Sequence, residues 1–109
     1  MKVSLVISVF NEEDVLHLFW KELSEVISQI QNVSFEVVFV NDGSSDSSQS
    51  ILQDIQKNAS VETQVIEFSR NFGHEAAMIA GIDYSSGDAV ICMDADLQHP
   101  PSVLPDLIA

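Results

Sequence analysis

Four short apolar segments, rich in β-branched residues, recur along the chain and predict four β-strands. The first, second and fourth segments are almost continuously apolar rather than alternating, which is typical of strands buried on both faces of a parallel sheet. The predicted strands cover Val3–Val9, Phe35–Val40, Val65–Phe68 and Ala89–Met93.

Helix-length segments separate and follow these strands. In the first segment, apolar residues recur at helical spacing and acidic residues lie on the opposite side. The second has a Ser/Asp-rich start that can cap a helix, and the third ends before a Ser-Ser-Gly stop signal. The predicted helices cover Glu12–Ile30, about Ser45 to Lys57, Gly73 to about Tyr84, and a segment that begins near Pro100-Pro101.

Strand and helix alternate four times, and right-handed crossovers between them give an α/β fold, a Rossmann-like parallel sheet with flanking helices. We expect residues 1–109 to form one unit whose sheet keeps an uncovered apolar edge or face, because no closing strands follow the last helix. The chain is therefore interpreted as the first part of a larger domain. The alternatives are a complete four-stranded domain and a homo-oligomer that covers this edge or face.

The net charge of the chain limits the classes of binding partner that we expect. The 109 residues include 17 Asp and Glu against 4 Lys and Arg, for a net charge of −13, which disfavours nucleic acid and anionic membrane surfaces as partners. The single cysteine, Cys92, lies in a predicted strand, so we expect a core residue, no disulfide and a reducing, cytoplasmic compartment. No segment reaches the roughly 20 apolar residues of a membrane span.

Polar residues follow the predicted strands, and in a parallel sheet the carboxyl ends of all strands lie at one edge, where ligands bind. Three of the four strand-end segments carry carboxylates. Carboxylates gathered at one edge repel one another unless a cation lies among them. This pattern predicts a divalent metal at the edge of the sheet.

Asp94 and Asp96 are the candidate ligands, because residues two apart in an extended chain project to the same face, and Gln98 continues that face. Such oxygen ligands suit Mg²⁺ or Mn²⁺ and leave positions open for phosphate oxygens and water. An Asp-x-Asp pair alone is a weak motif. The alternative is that these carboxylates cap the next helix.

The remaining strand-end residues have structural alternatives too. Asp42 can bind a ribose or a base, or close a turn with the two residues that follow it. Asn11 and Asp14 have the spacing of a capping box, which would merely start a helix. Arg70 can meet a phosphate or a base, or pair with the surplus carboxylates. The scattered histidines give little support for zinc, and His17 is expected on a helix surface.

Four strings at successive strand ends together resemble family 2 inverting glycosyltransferases, in particular the dolichyl-phosphate mannosyltransferase and polyprenyl-phosphate glycosyltransferase branch. Ser8 stands where that family commonly has Pro, and Phe10 where it commonly has Tyr. The resemblance covers nearly the whole chain. The strings are Ser8-Val9-Phe10-Asn11-Glu12-Glu13, Val40-Asn41-Asp42-Gly43-Ser44-Ser45-Asp46, Arg70-Asn71-Phe72-Gly73-His74-Glu75 and Asp94-Ala95-Asp96-Leu97-Gln98-His99-Pro100-Pro101.

The resemblance implies a glycosyltransferase A-type fold whose first half binds a UDP- or GDP-sugar at this edge of the sheet. It also implies a role for each matching residue, with Phe10 against the base, Asp42 bonded to the base and Arg70 beside the nucleotide. The implied donor-binding residues are Ser8, Phe10, Glu12, Asp42, Arg70, Asp94 and Ala95, and the implied ligands of Mg²⁺ or Mn²⁺ are Asp94, Asp96 and Gln98.

The implied reaction is displacement of the nucleoside diphosphate from the anomeric carbon with inversion. The metal would stabilise the charge that grows on the leaving group. The resemblance places acceptor contacts, any catalytic base and membrane attachment after the region present here. We therefore expect a lipid-phosphate acceptor as one possible partner, attachment of the full-length protein to the cytoplasmic face of a membrane, and an inactive fragment.

Two other classes compete with this interpretation. A receiver-like signalling domain also has acidic strand ends, but it needs a phosphoacceptor Asp after the third strand, where this chain has Ser69. A nicotinamide-dependent oxidoreductase needs a Gly-rich turn after the first strand, where this chain has Asn11-Glu12-Glu13. Uptake of phosphate from acetyl phosphate would separate the receiver-like domain from the glycosyltransferase.

Overall fold

The computed structural model describes residues 1–95, in which strands and helices alternate. The strands form one parallel sheet in the order β3-β2-β1-β4, so the predicted α/β fold is confirmed. The predicted helix near Pro100-Pro101 lies outside these residues. The elements are β1 (Lys2–Val9), α1 (Leu16–Gln29), β2 (Ser34–Asn41), α2 (Ser48–Asn58), β3 (Glu62–Glu67), α3 (His74–Tyr84) and β4 (Ala89–Asp94).

Successive residues of the two central strands face opposite layers, because side chains alternate along a strand. Leu5 and Phe39 belong to the larger core, which the sheet forms with α1 and α2. Val6 and Val38 belong to a smaller core with Ala77 of α3 on the other face. The continuous apolar pattern of β1 and β2 therefore reflects burial on both faces, as predicted.

The fourth strand departs from its prediction. It is an edge strand that pairs with β1, and α3 packs mainly against β1 and β2. Val90 is 38% exposed and Cys92 is also exposed. The predictions that β4 is buried on both faces and that Cys92 is a core residue are wrong, because an apolar segment does not reveal where its strand lies in the sheet.

The third strand is longer than the hydrophobic pattern predicted. It begins at Glu62 rather than Val65, because Glu62, Thr63 and Gln64 pair with β2 despite their polarity. An edge strand tolerates such side chains. No helix in residues 1–95 combines the length and the apolar character needed to cross a membrane.

Candidate functional site

A cleft of about 260 Å³ opens at the carboxyl ends of β1 and β2, beside the start of α3. It combines the exposed ring of Phe10 with carboxylate, amide and imidazole groups, the mixture of apolar and polar groups typical of a ligand site. Of the predicted site residues, Ser8, Phe10 and Asp42 line the cleft. The lining consists of Ser8, Val9, Phe10, Asp42, Asn71, Gly73 and His74.

Asp42 supplies a buried carboxylate to the cleft and is only 4% exposed. Its two oxygens accept hydrogen bonds from the backbone N–H groups of Phe72, at 2.8 Å, and Gly73, at 3.1 Å. Asp42 therefore fixes the start of α3 from the end of β2. The alternative in which Asp42 closes a turn with the residues that follow it is wrong, because the side chain of Asn41 accepts the Ser44 N–H instead, at 3.1 Å.

Gly43 allows the loop after β3 to lie directly against the end of β2. Its φ is +70°, and a Cβ at this position would lie 2.2 Å from the carbonyl carbon of Arg70 and 2.4 Å from the nitrogen of Asn71. A side chain would displace that backbone. The close contact at Gly43 and the hydrogen bonds of Asp42 together set the wall of the cleft that Asn71 and Gly73 form.

Asn11 joins the loop after β1 to the loop after β2. Its side-chain oxygen accepts the Ser45 N–H at 2.8 Å, and its own N–H donates to the Ser44 hydroxyl at 2.9 Å. The predicted capping box of Asn11 and Asp14 is wrong, because the Asn11 side chain binds the neighbouring loop and α1 begins only at Leu16. These bonds hold Asn11 at a φ of 52°, directly after the ring of Phe10.

A second set of hydrogen bonds continues the same connection. Glu13 accepts the Ser47 N–H at 2.9 Å, and its own N–H donates to Asp46 at 3.2 Å. Asp46 also accepts the Ser48 N–H at 2.9 Å, so α2 starts at Ser48 rather than Ser45. Burial raises the pKa of the Asp46 carboxyl, but hydrogen bonds from Ser48 and Glu13 outweigh burial and lower it. The serine-rich segment thus orders two loops of the site.

Asp94 ends β4 beside the cleft. Its Oδ1 accepts a hydrogen bond from the Ser8 hydroxyl at 2.8 Å and lies 2.6 Å from Nε2 of His74. The next residue, Ala95, is buried and donates its N–H to the carbonyl of Ser8 at 3.2 Å. Sequence reasoning missed His74, although its position in the strand-end segment that contains Arg70 would have included it.

Glu12 and Arg70 do not line the cleft. The N–H of Glu12 donates to the Ser48 hydroxyl at 3.0 Å, which ties its backbone to the start of α2. The Arg70 guanidinium lies 4.4 Å from the centre of the Phe72 ring, a cation–π contact. Within residues 1–95, Arg70 does not pair with a carboxylate. The contacts between basic and acidic side chains there join Lys2 to Glu62 and the His74 imidazole to Asp94.

The predicted metal site falls only partly within residues 1–95, because Asp96 and Gln98 lie outside them. The described residues contain no group of three or more His, Cys, Asp or Glu that could hold a metal. Asp42 and Asp94 are each bound by protein donors, so crowding of carboxylates does not by itself require a cation here. Asp94 nevertheless fits Mg²⁺ or Mn²⁺ by its chemistry, a carboxylate beside an open cleft.

A parallel α/β sheet with a cleft of mixed polar and apolar groups at the carboxyl ends of its strands is typical of nucleotide-binding domains. The sequence profile of Glycosyl transferase family 2 matches residues 4–109. The chain belongs to this family, as the four strand-end strings predicted. Family membership excludes the receiver-like domain and the nicotinamide-dependent oxidoreductase.

Several curated relatives carry names from the polyprenyl-phosphate branch of the family. The chain is 43% identical over 108 residues to the prophage bactoprenol glucosyl transferase homolog of Escherichia coli K12, covering 99% of this chain and 35% of the relative. It is 40% identical over 107 residues to the undecaprenyl-phosphate 4-deoxy-4-formamido-L-arabinose transferase of Pseudomonas fluorescens Pf-5, covering 98% and 31%. These names agree with the predicted polyprenyl-phosphate branch. The chain spans about a third of the length of these relatives.

Solved structures agree on the fold. The crystal structure of Staphylococcus aureus TarS in complex with UDP-GlcNAc has a TM-score of 0.78 and 22% identity, covering 99% of this chain and 30% of that one. A second crystal structure of TarS has a TM-score of 0.75 and 23% identity, covering 99% and 31%. The predicted glycosyltransferase A-type fold is therefore confirmed.

Proposed function

We propose that residues 1–109 form the donor-binding part of a glycosyltransferase that takes a UDP-linked sugar into the cleft. The observation that carries this proposal is the cleft itself, which lies at the carboxyl ends of β1 and β2 and is lined by an aromatic ring and a buried carboxylate. Family membership supports the reaction class. The structure of TarS with UDP-GlcNAc supports the choice of UDP over GDP for the donor.

The described residues have separate tasks in this proposal. Phe10 is 44% exposed and presents its ring to the cleft, where a base can stack on it. Asp42 forms the inner wall and keeps the loop of Asn71 and Gly73 in position, while its oxygens retain lone pairs for a donor N–H of the base. Arg70, held over Phe72, is proposed to lie beside the nucleotide.

A divalent metal completes the proposed donor site. Asp94 would hold it together with Asp96 and Gln98, which lie two and four positions after Asp94 in the chain. When bound, Mg²⁺ or Mn²⁺ neutralises the negative charge that develops on the departing nucleoside diphosphate. In this proposal Asp94 presents its carboxylate to the cleft. The Ser8 hydroxyl and the His74 imidazole hold the carboxylate in place.

We further propose a polyprenyl phosphate as acceptor and inversion at the anomeric carbon. The names bactoprenol glucosyl transferase and undecaprenyl-phosphate transferase among the relatives support this acceptor. A phosphate oxygen is already anionic, so its attack needs no general base. Acceptor contacts are assigned to the parts of the longer relatives that this chain does not cover, and a location at the cytoplasmic face of a membrane stays a prediction.

Calorimetry with UDP and GDP, each with and without Mn²⁺, tests the donor proposal. On the parent chain we expect UDP to bind more tightly than GDP and Mn²⁺ to raise the UDP affinity by about tenfold or more. Asp94→Asn should remove the gain from Mn²⁺. Asp83→Asn, which changes an exposed carboxylate of α3 by the same chemistry, should keep it. Equal heats for both nucleotides in every sample would contradict the proposal.

A further inference from the structure

One carboxylate oxygen at the edge of the cleft is shared by two side chains from different parts of the fold. Oδ1 of Asp94 lies 2.8 Å from the hydroxyl of Ser8, in β1, and 2.6 Å from Nε2 of His74, the first residue of α3. Ser8 is the register partner of Asp94 in the sheet, so its hydroxyl is placed by strand pairing. His74 instead reaches Asp94 from a helix.

The start of that helix is itself fixed. The Asp42 carboxylate accepts the N–H groups of Phe72 and Gly73, the two residues before His74. A continuous path therefore runs from the end of β2, through the start of α3, to the end of β4. The imidazole of His74 lies on this path and also lines the cleft.

The contact between His74 and Asp94 is poorly suited to a purely stabilising role. The His74 side chain is 60% exposed and that of Asp94 is 34% exposed. Ion pairs with this much solvent contact contribute little to the free energy of unfolding. The contact can instead control the orientation of the Asp94 carboxylate, because a hydrogen-bond donor on one carboxylate oxygen restricts how the carboxylate rotates toward a ligand.

We propose that His74 is a positioning residue, which holds the Asp94 carboxylate in the orientation that receives the metal of the donor complex. This inference rests on the proposed function. Groups that hydrogen-bond to a metal-bound carboxylate fix its geometry, and their loss typically lowers metal affinity by about 10- to 100-fold. Ser8 and His74 together restrict rotation of Asp94 from two sides.

Two substitutions distinguish the effect of the N–H donor of His74 from the effect of the size of its side chain. His74→Gln keeps an amide N–H at about the reach of Nε2, whereas His74→Met fills similar space with no donor. His17→Met is the matched control, because His17 is an exposed histidine of α1 away from the cleft. For each chain, calorimetry measures the UDP affinity with and without Mn²⁺, and manganese paramagnetic resonance measures bound metal in the presence of UDP.

We expect His74→Met to lower the affinity for Mn²⁺ in the presence of UDP by about tenfold, a larger loss than it causes in the UDP affinity measured without metal. His74→Gln should recover most of the loss, and His17→Met should match the parent. Parent-like Mn²⁺ affinity in His74→Met, or an equal loss of metal-free UDP binding in both His74 variants, overturns the inference. A parent chain without Mn²⁺-dependent UDP binding overturns the proposed function, and this inference with it.

Discussion

The two ends of β2 each carry a buried carboxylate, Glu36 at one end and Asp42 at the other, and each binds backbone next to α3. Asp42 accepts the N–H groups of Phe72 and Gly73 before the helix starts. Glu36 accepts the N–H of Ser86, at 2.5 Å, after the helix ends. The same interaction therefore anchors both ends of α3 to the central sheet.

The surroundings of the two carboxylates differ. Glu36 is fully buried, and the hydroxyls of Ser4 and Ser86 and the amide of Gln64 surround it at 2.5, 3.0 and 3.3 Å. Asp42 lines an open cleft. A buried, hydrogen-bonded carboxylate is thus not evidence of a functional site by itself, and access to a cleft distinguishes the two ends of β2.

Hydrogen bonding also explains how Glu36 stays charged inside the protein. Burial raises the pKa of the Glu36 carboxyl, but the hydrogen bonds from Ser4 and Ser86 and the positive charge of Lys2 outweigh burial and lower the pKa to about 2. Sequence reasoning missed this residue, because a single Glu in an apolar strand carries no local sign of its partners.

The largest expected effect comes from removing the enclosed carboxylate. Glu36→Ala should lower the free energy of unfolding by about 3 kcal/mol, because it leaves the buried Ser4 hydroxyl and the two part-buried donors of Ser86 without their acceptor. Urea denaturation measures this loss. The UDP affinity of the folded fraction should stay within about twofold of the parent.

The matched substitution at the other end of β2, Asp42→Asn, should affect UDP affinity more than it affects the free energy of unfolding. Asp42→Asn keeps one acceptor for the helix start and should cost about 1 kcal/mol in unfolding free energy, while UDP affinity falls by about tenfold or more. A loss of stability below about 1 kcal/mol in Glu36→Ala, or equal losses of UDP affinity in the two variants, would show that the ends of β2 do not differ as proposed.

An intermediate effect is expected from the close contact beside Asp42. Gly43→Ala should lower the free energy of unfolding by about 2 kcal/mol, because the new Cβ meets the backbone of Arg70 and Asn71 at a φ of +70°. Gly73→Ala is the control, since its φ of +104° is also unfavourable but no atom lies within 4 Å of the added carbon.

The two substitutions compare a backbone clash with backbone strain alone, because only the Cβ of Gly43→Ala meets the backbone of another segment. Urea denaturation should show that Gly43→Ala is the less stable of the two, by roughly 1 kcal/mol. Its UDP affinity should also fall, because the loop of Asn71 moves. Equal stability of the two variants would argue that strain alone matters at Gly43.

The smallest expected effect is a pH dependence of the free energy of unfolding, which tests whether Glu36 is charged in the folded protein. Its pKa of about 2 in the folded protein lies below the ordinary value of 4.5, so its charge stabilises the fold above about pH 4.5. This contribution is lost as the pH falls toward 2. Glu36→Gln does not titrate, so the stability advantage of the parent over this variant should shrink by roughly 1 kcal/mol between about pH 7 and pH 3.5.

Urea denaturation of both chains at the two pH values measures that difference. An advantage that grows as the pH falls would mean that Glu36 is protonated in the folded protein at neutral pH. An advantage that stays constant would place the pKa of Glu36 near its ordinary value and contradict the role of the Ser4 and Ser86 donors.

Much of the site was predictable because strand ends of a parallel sheet share one edge. That rule predicted Asp42 and Asp94 at this edge, and the resemblance to family 2 glycosyltransferases implied Ser8 and Phe10. In the structure Ser8, Phe10 and Asp42 line the cleft and Asp94 lies beside it. The rule failed where a side chain binds a partner far along the chain. Asn11 has the spacing of a local cap, yet it binds Ser45 in the next loop.

The sequence by itself determined the alternation of strands and helices, the parallel sheet and the edge that carries the site, because periodicity and turn residues act between neighbours in the chain. The tertiary structure alone decided that β4 is an exposed edge, that Asp42 holds the start of α3, and that His74 meets Asp94. Those outcomes depend on packing between residues 20 or more positions apart, whose proximity no local pattern encodes.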